Sequence, residues 1–189
     1  MQKLHLLLIS FIMVIFFIKA KKVFAPVHQE KSPKYPQSMR TLLPGDLLFS
    51  PIGRKESRYI GHVGIVNSNY KVVHSVPAGV IQDCLEDYFQ KFSKIKVLSP
   101  LDKKAGKAAG EYALKLQSVH SKAMYKIRTP IGYSNQYQYC TKIVWQSYFY
   151  GAGINLGGLS ITSKSVHPLR IKDRRYLMQK ENPSSSLVH

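Results

Sequence analysis

The sequence is poor in cysteine and in acid: 2 cysteines in 189 residues, and 10 acidic residues against 28 lysines and arginines. Cys84 and Cys140 cannot build the disulfide framework of a small secreted domain, and they form no Cys-x-x-Cys metal element. A chain of this length buries a core without such staples, although an exporting compartment would permit one bridge. The shortage of acid leaves a net charge of +18. That excess implies an anionic partner or surrounding, with wall polymers and anionic lipid headgroups as candidates for an exported chain. Being basic is also a general trait of small exported proteins. No aromatic–basic recognition motif is present, so nucleic acid is not expected. No internal repeat and no domain break interrupt the chain.

A long apolar run is missing as well. The longest, Leu6 to Ile18, is broken only by Ser10 and falls short of the ~20 residues of a spanning helix. Lys3 precedes it, and Val23-Phe24-Ala25 follows with small-residue spacing, so residues 1–25 read as a signal segment cut after Ala25. More positive charge follows the run than precedes it, which makes an uncleaved anchor the alternative. No cysteine follows the run, which excludes a bacterial lipoprotein anchor. The segment carries four lysines and no acid, so the remainder keeps a net charge of +14. The expected location is secreted or extracytoplasmic, with membrane anchoring through the apolar segment as the variant.

What the sequence does contain is a set of short strands followed by helices. Residues 26–40 read as a linker or arm, 41–180 as one domain, and 181–189 as a disordered tail. Leu42-Leu43-Pro44-Gly45-Asp46 is a turn before a strand at Leu47–Phe49. A strand over Ile60–Asn67, a turn at Asn67-Ser68-Asn69 and a strand over Tyr70–Val76 form a hairpin. Pro77-Ala78-Gly79 turns into a third strand at Val80–Gln82. Asp83-Cys84-Leu85-Glu86 has capping-box spacing, which assigns Asp83 as N-cap and Glu86 as N3. Lys94–Leu98 reads as a strand, Asp102 to about His120 as a helix, and Tyr139–Tyr150 as an apolar helix ended by Gly151. Pro168–Gln179 is expected to be a basic helix, its arginines and lysines a solvated face or a wall- or membrane-binding one. The class is α+β.

Two segments carry the chemistry. In Gly61-His62-Val63-Gly64-Ile65-Val66 a histidine sits inside a buried strand. In Tyr139-Cys140-Thr141-Lys142 a cysteine opens an apolar helix. A helix N-terminus and a neighbouring imidazole lower a thiol pKa, the recipe for a nucleophile. Alone, each residue is more simply core: a free cysteine acts as a small hydrophobe and a strand histidine as a satisfied imidazole. His74 shifts the balance. It lies across the Asn67–Asn69 turn at an even spacing from His62, so the two rings share a face and one can orient the other. A zinc site from His62, His74 and Cys140 is the rival, unsupported by close ligand spacing. No cofactor is expected. Tyr125, Tyr133, Tyr137 and Tyr139 either line a substrate cleft or pack their loop onto the domain. Tyr139 is the best cleft candidate. Cys84 reads as structural.

Pro44-Gly45-Asp46-Leu47-Leu48-Phe49, Gly61-His62-Val63-Gly64-Ile65-Val66, Val72-Val73-His74-Ser75 and Tyr139-Cys140-Thr141-Lys142-Ile143-Val144-Trp145-Gln146 together resemble the circularly permuted papain-like branch of the NlpC-type cysteine hydrolases. The likeness is to the YiiX/YaeF-like group, related to lecithin:retinol acyltransferase-like enzymes. It runs from about Leu43 to Ser165. It implies a small antiparallel sheet or half-barrel packed against helices. It further implies Cys140 as nucleophile, His62 as general base, His74 as orienting residue, and oxyanion donors at the start of the Cys140 helix. Relatives often carry Ser then Glu after the cysteine. Thr141 and Lys142 stand here, and Lys142 adds positive charge that favours an anionic substrate. Tyr133, Tyr137, Tyr139 and Lys142 are thus the substrate-binding candidates.

These features favour an exported cysteine amidase or peptidase acting on peptidoglycan stem peptides or related wall fragments through a thioacyl-enzyme. The alternatives are a lipid acyl hydrolase or acyltransferase of the lecithin:retinol type, and a catalytically inactive wall-binding module.

Overall fold

The computed structural model of the chain describes residues 33–36, 38–51, 61–133 and 136–179. The expected signal segment, most of the expected linker, residues 52–60 and the expected tail lie outside the described residues. The centre is a six-stranded sheet in the order β4-β3-β2-β1-β5-β8. Its strands are β1 (Leu47–Ser50), β2 (His62–Val66), β3 (Val72–Val76), β4 (Gly79–Asp83), β5 (Lys96–Pro100) and β8 (Leu177–Gln179). Every neighbouring pair is antiparallel. Two short strands, β6 (Met124–Tyr125) and β7 (Tyr137–Gln138), pair in parallel within the segment expected to be irregular. Among the described residues three α-helices pack on the sheet: α1 (Leu85–Lys91), α2 (Lys103–His120) and α3 (Cys140–Gln146). The α+β class therefore stands.

The strands are buried along nearly their whole length, because both sheet faces are covered. Leu47, Phe49, Val63, Ile65 and Val73 face α2 and α3 in one core. Leu48, Val66 and Val72 face Leu85, Tyr88 and Phe92 of the α1 region in a second. This is the period-2 alternation of a strand with an apolar layer on each side. The Asn67 turn is held by its own side chain: Oδ1 accepts from the amides of Asn69 and Lys71 at 2.9 and 3.0 Å. That Asx geometry closes the β2–β3 hairpin and sets its register, Ile65 opposite Val73.

Asp102 caps α2, its Oδ1 accepting from Lys104 N at 2.8 Å. Such caps contribute about 1 kcal/mol. The buried stripe of α2, Gly106, Ala109, Gly110 and Ala113, is made of small residues and admits close neighbours. At Gly106 an added Cβ would lie 2.4 Å from Pro100 Cγ and 2.8 Å from the Pro44 carbonyl. All seven residues of α3 are buried, and the helix continues as a π turn over Ser147–Gly151 before it ends. Trp145 is fully buried there, stacked on Phe149 at 4.3 Å, with its indole N–H donated to Asn155 Oδ1 at 3.1 Å.

Three expectations are corrected. Asp83 is the last residue of β4 and not a helix cap. Cys84 is the N-cap of α1, its sulfur accepting from Asp87 N at 3.4 Å. Pro168–Gln179 is not a helix. A 3-10 turn (Pro168–Ile171) gives way to β8, because Asp173 takes the Gly157 amide and folds Arg175 against itself, ending the helical path. The end of the expected linker is part of the fold: Tyr35 is buried and donates its hydroxyl to Asp46 Oδ2 at 2.6 Å.

Candidate active site

The β2–β3–β4 meander brings His62, His74 and Asp83 into one line. Ile65 pairs with Val73, so His74 falls diagonally across from His62 on the same face. His74 pairs with Ile81, so Asp83, two residues on, shares that face too. His62 Nε2 lies 2.9 Å from His74 Nδ1, and His74 Nε2 lies 2.8 Å from Asp83 Oδ2. Lys91 Nζ holds the other carboxylate oxygen at 2.7 Å. Asp83 sits below the ordinary carboxylate range because His74 and Lys91 outweigh the burial that pushes it up.

The hydrogen bonds fix the tautomers. A carboxylate only accepts, so His74 donates from Nε2. A neutral His74 then accepts at Nδ1, and His62 donates from Nε2. The lone pair of His62 is left on Nδ1. Burial, then the charge of His74, push His62 well below its ordinary pKa against the opposing pull of Asp83, so it is a neutral base at pH 7. Its ring stacks face to face on Phe92 at 4.4 Å, with planes 2° apart. Tyr88 touches both imidazoles and donates its hydroxyl to the Leu48 carbonyl at 3.1 Å.

Cys140 opens α3 and packs with Val63 in the core on the α3 side. The Thr141 hydroxyl lies 3.9 Å from its sulfur, and the Thr141 hydroxyl and amide, the Val63 amide and the Tyr125 hydroxyl are the donors that favour its thiolate. Val63 adjoins His62 in the chain, so the strand that carries the imidazole also touches the thiol. Among the described residues no hydrogen bond joins Cys140 to His62. The expectation of a lowered thiol pKa is corrected: burial raises it and outweighs the four donors. The resting group is a protonated thiol, and both cysteines are free.

The expected substrate-binding residues stand in different settings. Tyr139 is buried, its hydroxyl 3.5 Å from the Val166 amide, and burial pushes its pKa to about 12. Tyr137 is half-buried, with Lys126 Nζ 4.8 Å above its ring, and Tyr133 is exposed. Lys142 is fully buried, donates to the Tyr137 carbonyl at 2.8 Å, and is lowered to about 8 by burial. Two residues that sequence reasoning missed in these roles are central. Asp83 was masked by its cap-like spacing. Its signal is parity across the Pro77–Ala78 turn, which puts it on the face of His74. Tyr125 has no sequence signal that separates it from the other tyrosines.

A family profile described as lipoprotein N-acylation protein LnsA-like matches residues 1–174. The chain belongs to this LnsA-like family. The crystal structure of metalloprotein YiiX from Escherichia coli O157:H7 (DUF1105) superposes with a TM-score of 0.54 at 17% identity, covering 73% of this chain and 96% of that one. The likeness to the YiiX-like branch therefore holds for an LnsA-like chain, at the level of fold. No curated protein matches the sequence.

The metal in the YiiX description is that protein's. Here the donors do not fit one. Two of the imidazole nitrogens bond each other, a third is held by Asp83, and no three His, Cys, Asp or Glu side chains among the described residues converge as ligands.

Proposed function

We propose that the protein is a cysteine acyltransferase that moves a fatty acyl group from an ester-linked lipid to the N-terminal amine of a lipoprotein. The observation that carries this reading is the LnsA-like match over nearly the whole chain, applied to a buried thiol at the head of α3 and a carboxylate-anchored imidazole pair on the strands that α3 packs against. The arrangement is read as permuted papain-like, the histidine strands preceding the cysteine helix.

Donor entry displaces Tyr125 from the sulfur and brings His62 Nδ1 into reach, as often happens when an apo site tightens on substrate. Nδ1 takes the thiol proton as the sulfur attacks the ester carbonyl. The oxyanion is met by amides at the start of α3 and by the Tyr125 hydroxyl. The C–O bond breaks, and His62 returns the proton to the departing lipid alkoxide. The α-amine of the acceptor then attacks the thioester and loses a proton to His62. The C–S bond breaks, the amide forms, and the thiol is regenerated. His74 and Asp83 orient His62 throughout and stabilise its protonated form.

Hydrolysis of wall amides would use the same thioester with water as the second nucleophile. The family description favours the amine acceptor. The match begins at residue 1 and includes the apolar segment, which favours a site at the membrane surface. Among the described residues no helix is long and apolar enough to cross a membrane.

The test incubates the full chain with phospholipid vesicles and a lipopeptide bearing a free α-amine. Mass spectrometry should find a fatty acyl group on Cys140 and the N-acyl lipopeptide as product. Cys140→Ala and His62→Ala should abolish both. N-acylation that persists in Cys140→Ala would overturn the reading, and cleavage of wall peptides without lipid acylation would replace it with the amidase.

A further inference from the structure

A cavity of about 340 Å³ opens at the end of the β1–β2 pair, at the low end of the ~300–1,000 Å³ of ligand pockets. It is lined by Phe49, Ser50 and Gly61 and by Lys96, Lys172 and His167. Gly61 precedes His62, and Ser50 is the cross-strand partner of His62, so the cavity wall and the candidate base share a backbone. Phe49 belongs to the same core as Cys140.

The lysines converge for a reason the fold supplies. Lys96 is the cross-strand partner of Phe49, so both side chains rise from one face of the sheet. Lys172 arrives from the segment after the 3-10 turn, and its Nζ stands 4.5 Å above the Phe49 ring. One ammonium thus lies over the ring, and a second lysine is the ring's strand partner. Burial, then the charge of Lys96, push Lys172 below its ordinary pKa. No carboxylate among the described residues pairs with either lysine. His167 spends Nδ1 on the Leu169 amide at 3.1 Å, so a neutral ring carries its proton on Nε2 as a further donor. Pro51, Pro168 and Leu169, the last 58% exposed, add apolar lining.

Paired cations without a carboxylate partner among the described residues, a donor imidazole and an apolar lining describe a site for an amphiphilic anion. We propose that this cavity binds the phosphate of a glycerophospholipid, with Lys96 and Lys172 on the phosphate oxygens and the glycerol and proximal chain against Phe49 and Leu169. The lipid so held is the acyl donor for Cys140, and in that respect the proposal rests on the acyltransferase reading. The lysine ammoniums act as point charges on a phosphate, so arginine should replace them.

The experiment measures equilibrium binding to full-length Cys140→Ala protein, which cannot turn over. The probes are dihexanoyl phosphatidylglycerol, dihexanoylglycerol and inorganic phosphate. The phosphatidylglycerol should bind at least tenfold more tightly than the uncharged diacylglycerol. The Lys96→Gln/Lys172→Gln double variant should lose that advantage, and the double arginine variant, checked for an unchanged thermal midpoint, should recover it. Equal binding of the two lipids, or binding indifferent to the glutamine pair, would overturn the site. Inorganic phosphate binding more tightly than the lipid would assign the cavity to a free anion and overturn the lipid assignment. Acylation of Cys140 is followed separately in otherwise wild-type protein. Lysine-dependent binding without any acyl-Cys140 would sink the acyltransferase reading and leave the phosphate site standing.

Discussion

Asp83 is the residue on which the site's polarity turns. It fixes the proton on His74 Nε2, and through His74 the proton on His62, leaving Nδ1 basic. Asp83→Asn keeps the shape and removes the charge. The expected result is acylation of Cys140 slowed at least ~10-fold with donor KM little changed, the signature of a lost orienting partner. The sign of the pH effect follows from the causes. Asp83 raises the pKa of His62, so its removal should shift the acid limb of kcat/KM, already below pH 6.5 in the wild type, to still lower pH. The thiol makes a second prediction at this scale. Burial raises it, so iodoacetamide should alkylate the resting protein slowly at pH 7 and faster only as pH passes about 9. Rapid alkylation at pH 6 would show a preformed thiolate and contradict the resting state described. Slow labelling of the resting thiol therefore does not by itself mark a protein that has lost catalysis.

At the scale of elements, the close seat of α2 governs how β5 and the Pro44 turn support the sheet. Gly106→Ala forces a Cβ against Pro100 and the Pro44 carbonyl. Overpacking of this kind costs about 1–3 kcal/mol. The urea midpoint should drop with the slope unchanged. Most elements were legible because their signals are local: the Asn67 turn, the Asp102 cap and the apolar face of α3 each announce themselves within a few residues. The His62–His74 pair was legible because an even spacing across one tight turn leaves little freedom. Three features were not. Asp83 satisfies a local capping pattern, yet the strand pairing to β3 claims it first. The 168–179 segment has helix-forming residues, and Asp173 and the edge of β5 divert it into β8. Lys142 carries a charge that reads as surface, and only its bond to the Tyr137 carbonyl shows why it is tolerated inside.

For the whole molecule, the buried titrating groups shape stability against pH. His62 stays neutral when folded, while the unfolded chain binds its proton below about pH 6.5, so stability falls as pH drops through that value. Tyr35, Tyr88 and Tyr148 keep their protons when folded, so stability is lost as the unfolded chain ionises above about pH 10. Lys142 releases its proton near pH 8 when folded and only near 10.5 when unfolded, which lifts stability across that interval. The urea midpoint should rise from pH 5 to 7, rise again from 8 to 10, and then fall. Lys142→Met should flatten the second rise alone. The position of Trp145 gives a way to watch all this. It is the chain's one tryptophan, fully buried, five residues along the helix that Cys140 opens. Its emission therefore reports on the helix that Cys140 opens. With the indole donated to Asn155, the native spectrum should be blue-shifted, and a red shift should mark the moment that α3 comes away from the sheet. The proposed thioester on Cys140, five residues upstream, should then register in stopped-flow fluorescence with no label added.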